Sequence, residues 1–361
     1  MAESPVSQEP FYRARPVLKV DGQQDERVTA LLTGIKMEES EGGMSALELH
    51  LTNWASLVGG GAEIAFSPTS KLKLGARVEV YAGDEAQPRE LFRGKISALE
   101  NEFKLDESPE LTVLAEDALA GARMARRSKT YVNMSPADVA RQIASGLNLR
   151  PIIQGLSSPS GVWAQLNESD LAFLRRLVGR FDGDVQIVGE ELHVSPRGDV
   201  HRGTLELAYG GQLRKVRWIA DLADQVTGVS VRGWDYANGS AVQSEISSGA
   251  HLGPGSGKTG SSMLQEAFGN RKEHIGHLAV GTDAEAQAVA QADFDLRARR
   301  FLRVRGVAEG NAELRVGTHV HLTGMGAGFD NTFYVVSTCH VFDIRSGYRT
   351  EFGAECAFMG S

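Results

Sequence analysis

Residues 74–80 read LGARVEV and residues 316–322 read VGTHVHL. Each is a glycine followed by an alternation of apolar and polar residues. About 14 residues further on, each is followed by an aromatic-led run, Phe92-Arg93-Gly94-Lys95-Ile96 in one case and Phe333-Tyr334-Val335-Val336 in the other. A last strand-like run closes each unit, 111–117 and 349–356. Alternation with period two, broken by turn residues, is the pattern of an antiparallel sheet wet on one face. The same order near both ends of one chain indicates an internal duplication. The expected architecture is mainly β: two related antiparallel β-barrels flanking a small helical α+β module.

Working outward from the repeat, strand-like runs begin at Val17-Leu18-Lys19-Val20 and continue through Met44–Thr52 and Leu91–Leu99. The middle changes character. Ser135-Pro136-Ala137-Asp138 is a helix start, with a hydroxyl cap, proline in the first turn and an acid three residues on. A second helix is predicted from Asn167-Glu168-Ser169-Asp170, with Leu171, Leu174, Leu177, Val178 and Phe181 on one stripe. Two short strands around a Gly-Glu turn follow in Asp184–Val194. After more strands, Thr282-Asp283-Ala284-Glu285 opens a helix expected to run to about Arg300. The chain is thus read as a first β-barrel over 11–118, an α+β module over 119–203, and a second β-barrel over 204–361. The last holds a flexible Gly/Ser loop at 249–262 and the helix at 282–300.

The chain of 361 residues can bury more than one core. No apolar run approaches the roughly 20 residues of a membrane helix, and the first residues lack a basic segment followed by an apolar one. Synthesis and retention in the cytoplasm before assembly are expected. The net charge of −8 argues against a general nucleic-acid binder. It is concentrated at one end, since residues 1–110 carry 12 basic and 19 acidic side chains. Cys339 and Cys356 form no disulfide framework and are expected to be buried, reduced thiols.

Several groups invite a chemical reading. Residues 252–260, LGPGSGKTG, end in the Gly257-Lys258-Thr259 of a phosphate loop. That loop requires G-x-x-x-x-G-K-[ST] between a buried strand and a helix, yet Leu252 stands where the first glycine belongs. The segment reads as a mobile surface loop that gains order only from a neighbour. His319 and His321 share a strand face, and His340 is expected near them across the sheet, but a metal needs more ligands with supporting partners. They read as a solvated face, as do His274 and His277. Arg123, Arg126, Arg127 and Lys129 form a basic cluster at a segment junction. Arg175, Arg176, Arg297, Arg299 and Arg300 sit late in their helices, where the helix dipole accommodates them. No nucleophile elbow and no carboxylate pair stands out. No catalytic, cofactor-binding or metal-binding residue is assigned, and no cofactor is implied.

Three motifs carry a family resemblance. Arg126-Arg127-Ser128-Lys129-Thr130-Tyr131 with Asn167–Leu177 (NESDLAFLRRL) is one, the closing sequence from Gly317 through His340-Val341-Phe342-Asp343 to Gly347–Phe352 is another, and Arg15–Gly22 is the third. Together they resemble the phage late control D proteins and the hub portion of VgrG-type spikes of contractile injection systems, over roughly residues 11–358. The resemblance implies a structural baseplate hub with two tail-tube-like barrels. Three copies would present six barrels, joining a sixfold tail tube to a threefold spike. It further implies a homotrimer contacting the tail tube protein, a separate spike protein and other baseplate proteins, within a phage tail or injection particle. Membranes and sequence-specific nucleic acid are not among the expected partners. Longer spike members continue past the hub; this sequence ends at Phe358–Ser361, so a separate spike is expected to dock beneath it. The competing readings are an enzyme, either a nucleotide hydrolase through Lys258 or a tail-borne cell-wall hydrolase, and an adaptor unrelated to injection.

Overall fold

The computed structural model describes residues 15–56, 60–67, 70–83, 88–326 and 328–360. The two repeated sequences fold as equivalent β-meanders. In the first unit, Arg77–Ala82, Arg89–Glu102 and Glu110–Glu116 pair in order. In the second, His319–Thr323, Asn331–Asp343 and Gly347–Cys356 do the same. The agreement extends to single hydrogen bonds. Gly75 N donates to Ile96 O at 2.8 Å and Ile96 N to Ala76 O at 2.9 Å; Gly317 N donates to Val335 O at 2.9 Å and Val335 N to Thr318 O at 3.0 Å. Both glycines have a left-handed backbone, φ +81° and +87°, which is why this turn wants glycine. Each long strand then bulges at the next residue, between Ile96 and Ala98 and between Val335 and Ser337.

Two further strands extend each meander on the side of its last strand. In the first unit these are Ala46–Thr52 and then Leu32–Ser40; in the second, Leu302–Glu309 and then Leu213–Ala220. The outermost strand of each carries a bulge at the same ladder position, between Leu32 and Gly34 and between Leu213 and Lys215. The units do not close separately. Leu32–Ser40 pairs along Ser337–Asp343, fusing both into one 13-stranded sheet, and the described residues contain no closed barrel. Inward-facing Leu49, Val78, Val80 and Val113 belong to the core of the first unit, and Val304, Val320, Phe333 and Phe352 to that of the second.

The α+β module lies at one end of this sheet. It holds the ribbon Arg126–Met134 with Gly161–Ser169, the helices Pro136–Gly146 and Asp170–Gly179, and a three-stranded sheet ordered Arg150–Ile153, Glu191–Pro196, Gly183–Val188. Ser135 caps the first helix in a full capping box with Asp138, and Ser169 caps the second. A second small sheet (Ser240–Ile246, Gly228–Asp235, Lys272–Ile275) with the helix Asp283–Arg299 packs its apolar residues into the same core, although it follows the module in sequence. Ala286, Ala290, Phe294 and Ala298 are the buried stripe of that helix.

The Gly/Ser-rich stretch corrects the expectation of a loose loop. Ala250 N and His251 N donate to Asp295, and Asn331 exchanges hydrogen bonds with Ser256. Lys258-Thr259 pairs with Phe358-Met359, and Thr259 caps a helix, Gly260–Phe268. Composition misleads here because these glycines serve close approach. A Cβ at Gly257 would meet Met359 O, and one at Gly260 would meet Gln225 and Phe301.

Candidate functional site

The phosphate-loop reading fails on geometry as well as register. The Lys258 ammonium is held by both carboxylate oxygens of Glu266, at 2.9 and 2.8 Å. The Thr259 hydroxyl is occupied as the cap of its own helix. The strand before that helix is two residues long and antiparallel to the C-terminal strand, whereas a phosphate loop leaves the end of a buried strand.

The histidines are dispersed. His319 Nε2 lies 3.0 Å from Val200 O and its ring 4.4 Å from that of His201. His321 contacts the Thr332 hydroxyl at 3.1 Å, and His274 the Ser230 hydroxyl at 3.1 Å. His340 is fully buried, with Nδ1 2.8 Å from Tyr348 Oη and 3.2 Å from Thr350 Oγ1. Burial, aided by the charge of Arg315, pushes the His340 pKa down to about 3, so its ring is neutral. Among the described residues no group of three His, Cys, Asp or Glu is placed to hold a metal ion. Cys339 and Cys356 are free thiols. Cys356 is buried but Cys339 is partly exposed, because its strand position points to the wet face opposite Glu38 and Glu351.

The basic junction residues are mostly engaged locally. Arg123 pairs with Glu116, Arg127 with Asp170 at 3.3 Å, and Arg176 with Glu168, while Lys129 lies 4.5 Å over the Tyr131 ring. Arg175 reaches further, donating to the carbonyl oxygens of Gly42 and Gly43.

That contact belongs to the most developed polar arrangement in the protein, where sheet and module meet. The turn 40–43 projects from the first unit into the module. Asp184 accepts from Gly42 N at 3.0 Å, and Gln186 donates to Ser40 O at 3.1 Å. A Cβ at Gly43 would strike Leu119 and Val185. Beneath the turn, Glu41 lies 2.7 Å from Arg197, Arg197 lies 3.2 Å from Asp182, and Arg299 donates to Asp182 at 2.6 Å and lies 3.6 Å from Glu355. Three carboxyl groups, Glu41, Asp182 and Glu355, thus face two guanidinium groups in a largely buried cluster, with Asp184 nearby. Burial pushes Glu41 up to about 8, against the pull of Arg197, and raises Glu355 and Asp184 as well. Burial also lifts Asp117 to about 6, although Ser45 N and Leu119 N both donate to it.

Beside this network is a cleft of about 1030 Å³ walled by Arg93, Arg150, Arg202, Arg315 and several acids. Arg315 is paired with Glu39 at 2.5 Å and donates to Leu91 O at 3.0 Å. The arrangement can fix the angle between the two layers; it presents no activated nucleophile. Reading Arg299 as a residue at home on a helix dipole missed its role. The available signal is that Asp295 and Arg299, four apart, lie beside the apolar stripe of their helix.

Among the described residues no helix is long and apolar enough to cross a membrane. No curated protein matches the chain in sequence. Solved structures do match in fold. A 43 kDa tail protein of prophage MuSo2 from Shewanella oneidensis superimposes with a TM-score of 0.67 at 14% identity, over 94% of this chain and 97% of that one. A tail protein from Neisseria meningitidis gives 0.62 at 12% identity, over 94% and 96%. An Escherichia coli component of the type VI secretion system, described as similar to the T4 tail proteins gp27 and gp5, gives 0.58 at 12%, over 95% and 77%. At these identities the likeness is one of fold. A family model described as the Alg8 N-terminal domain, a different family from the late control D proteins that the motifs resemble, matches residues 59–343. That is well over half of the chain, which therefore belongs to the Alg8 N-terminal domain family.

Proposed function

We propose that this chain is a structural baseplate hub of a phage tail or contractile injection system. It acts as a trimer that joins a sixfold tail tube to a threefold spike. The observation that carries this reading is the duplication. One chain holds two β-units equivalent down to their bulges, so three chains supply six equivalent units to a sixfold partner and three whole subunits to a threefold one. The late control D and VgrG motifs and the tail-protein fold support it. Its partners are then the tube protein, a separate spike protein and other baseplate components, and its place is in the assembled particle. The proposed segments by chain order are 11–118, 119–203 and 204–361, with 228–299 of the last sharing the core of the middle one.

The test is native mass measurement of the chain with the tube and spike proteins encoded beside it. A complex holding three hub chains is expected; monomers alone, with no complex, would end the proposal. The nucleotide-hydrolase alternative is checked by ATP and GTP turnover of wild type and Lys258→Ala, for which equal background rates are expected. Zymography checks cell-wall hydrolysis.

A further inference from the structure

The two equivalent units are not in equivalent surroundings. In the second, the long strand's segment Ser337–Asp343 is paired on its far edge by Leu32–Ser40 of the first. The corresponding segment of the first unit, Ala98–Glu102 with Phe103 and Lys104 beyond it, has no backbone partner on that edge among the described residues. Likewise Leu32–Ser40 corresponds to Leu213–Ala220, whose outer edge from Lys215 to Ala220 is also unpaired among the described residues. One chain thus carries one joint of a given design already made, and the two halves of the same joint left open.

We infer that Lys215–Ala220 of one copy pairs antiparallel with Ala98–Lys104 of the next, repeating between chains the joint between Leu32–Ser40 and Ser337–Asp343 within one. The partner is a second copy of this chain. The inference rests on the hub reading and supplies its contact surface.

The ladders set the register without adjustable choices. Val341 lies opposite Lys36, and Phe342 opposite Ile35. Counting from the shared bulges, Val341 corresponds to Glu102 and Lys36 to Arg217. The same count takes Phe342 to Phe103 and Ile35 to Val216. Glu102 of one copy therefore faces Arg217 of the next, and Phe103, 64% exposed in the single chain, faces Val216. Charge favours this assignment on balance. Glu100, Glu102, Asp106, Glu107 and Glu110 outnumber Lys104 on one open half, and Arg214, Lys215 and Arg217 make the other basic, so that Glu102 meets Arg217 although Lys104 meets Lys215. Opposite charges across a strand pair favour it and like charges oppose it, and paired edges remove an aggregation liability. Because the two halves lie on different surfaces, the contact is heterologous, and under the threefold rotation of the proposed hub it closes into a ring.

Disulfide trapping with the full chain tests this. Directly opposed strand residues lie within reach of a disulfide. In a Cys339→Ser background, Glu102→Cys mixed with Arg217→Cys is expected to give a covalent pair, and neither variant alone to do so. The double variant should link chains up to the closed ring, while Lys95→Cys mixed with Arg217→Cys should stay unlinked. Trimers by native mass without the 102–217 link would overturn the pairing and leave the hub reading standing; monomers at every concentration, without the link, would count against both. As a second readout, Arg217→Glu should weaken association about tenfold. Adding Glu102→Arg should restore it; a double reversal no better than the single one would also overturn the register.

Discussion

Arg299 is 1% exposed, with its guanidinium between Asp182 and Glu355. Removing one member of a buried ion group costs about 3–5 kcal/mol, because the charge left behind is uncompensated. Arg299→Met is therefore expected to lower the unfolding free energy by about that amount in a urea titration. Lys258→Ala removes an exposed pair and should cost about 0–1 kcal/mol. Two buried groups set opposite pH limbs. Folded Glu41 holds its proton up to about 8, against an ordinary value of 4.5, so folding takes up a proton between those values and stability falls as pH rises through them. Folded His340 stays neutral down to about 3, against 6.5, so stability falls as pH drops from 6.5. Urea midpoints should decline on both sides of mildly acidic pH. Glu41→Gln should flatten the alkaline limb and His340→Gln the acid one. Apart from the Asp295–Arg299 spacing, these pairings do not announce themselves in sequence, since Arg299 and Asp182 are 117 positions apart and Arg315 and Glu39 are 276 apart. Ion pairing at that separation leaves no local pattern to read.

At the scale of elements, what is local is legible. The capped helices at Pro136 and Asp170 carry their signals within one turn, and the meanders carry theirs in alternation and a turn glycine. The helix Gly260–Phe268 was hidden because glycine and serine favour a loop reading, while its stability comes from a hydroxyl cap and from Leu264, which is buried. The glycine before it is required by packing. At Gly257, φ is +121° and a Cβ would sit 1.9 Å from Met359 O. Gly257→Ala should therefore release the C-terminal strand, seen as faster limited proteolysis around Lys258 and Met359 with the remaining core intact.

For the whole molecule, the duplication was readable from LGARVEV and VGTHVHL, but the fusion of both units was not. Strand order across 300 residues depends on edges, and edges have no sequence signature beyond charge. The fusion has a measurable consequence. A fragment spanning residues 15–118 would lose the seven residue pairs between Leu32–Ser40 and Ser337–Asp343 and expose a bare edge. It is expected to self-associate in light scattering, whereas the full chain buries that edge.

The shared bulges also let the two units be compared position by position. Glu48 on the wet face of the first occupies the place of Arg305 in the second, Ala46 that of Arg303, and Glu110 that of Arg349. Six identical units would repeat one charge pattern at every position around a ring. Two copies in one chain are free to differ, and at Glu48 and Glu110 they differ in sign from Arg305 and Arg349, while Lys36 and Arg217 keep the same charge. In the inferred ring, Glu48 and Glu110 of one unit would alternate around the assembly with Arg305 and Arg349 of the other.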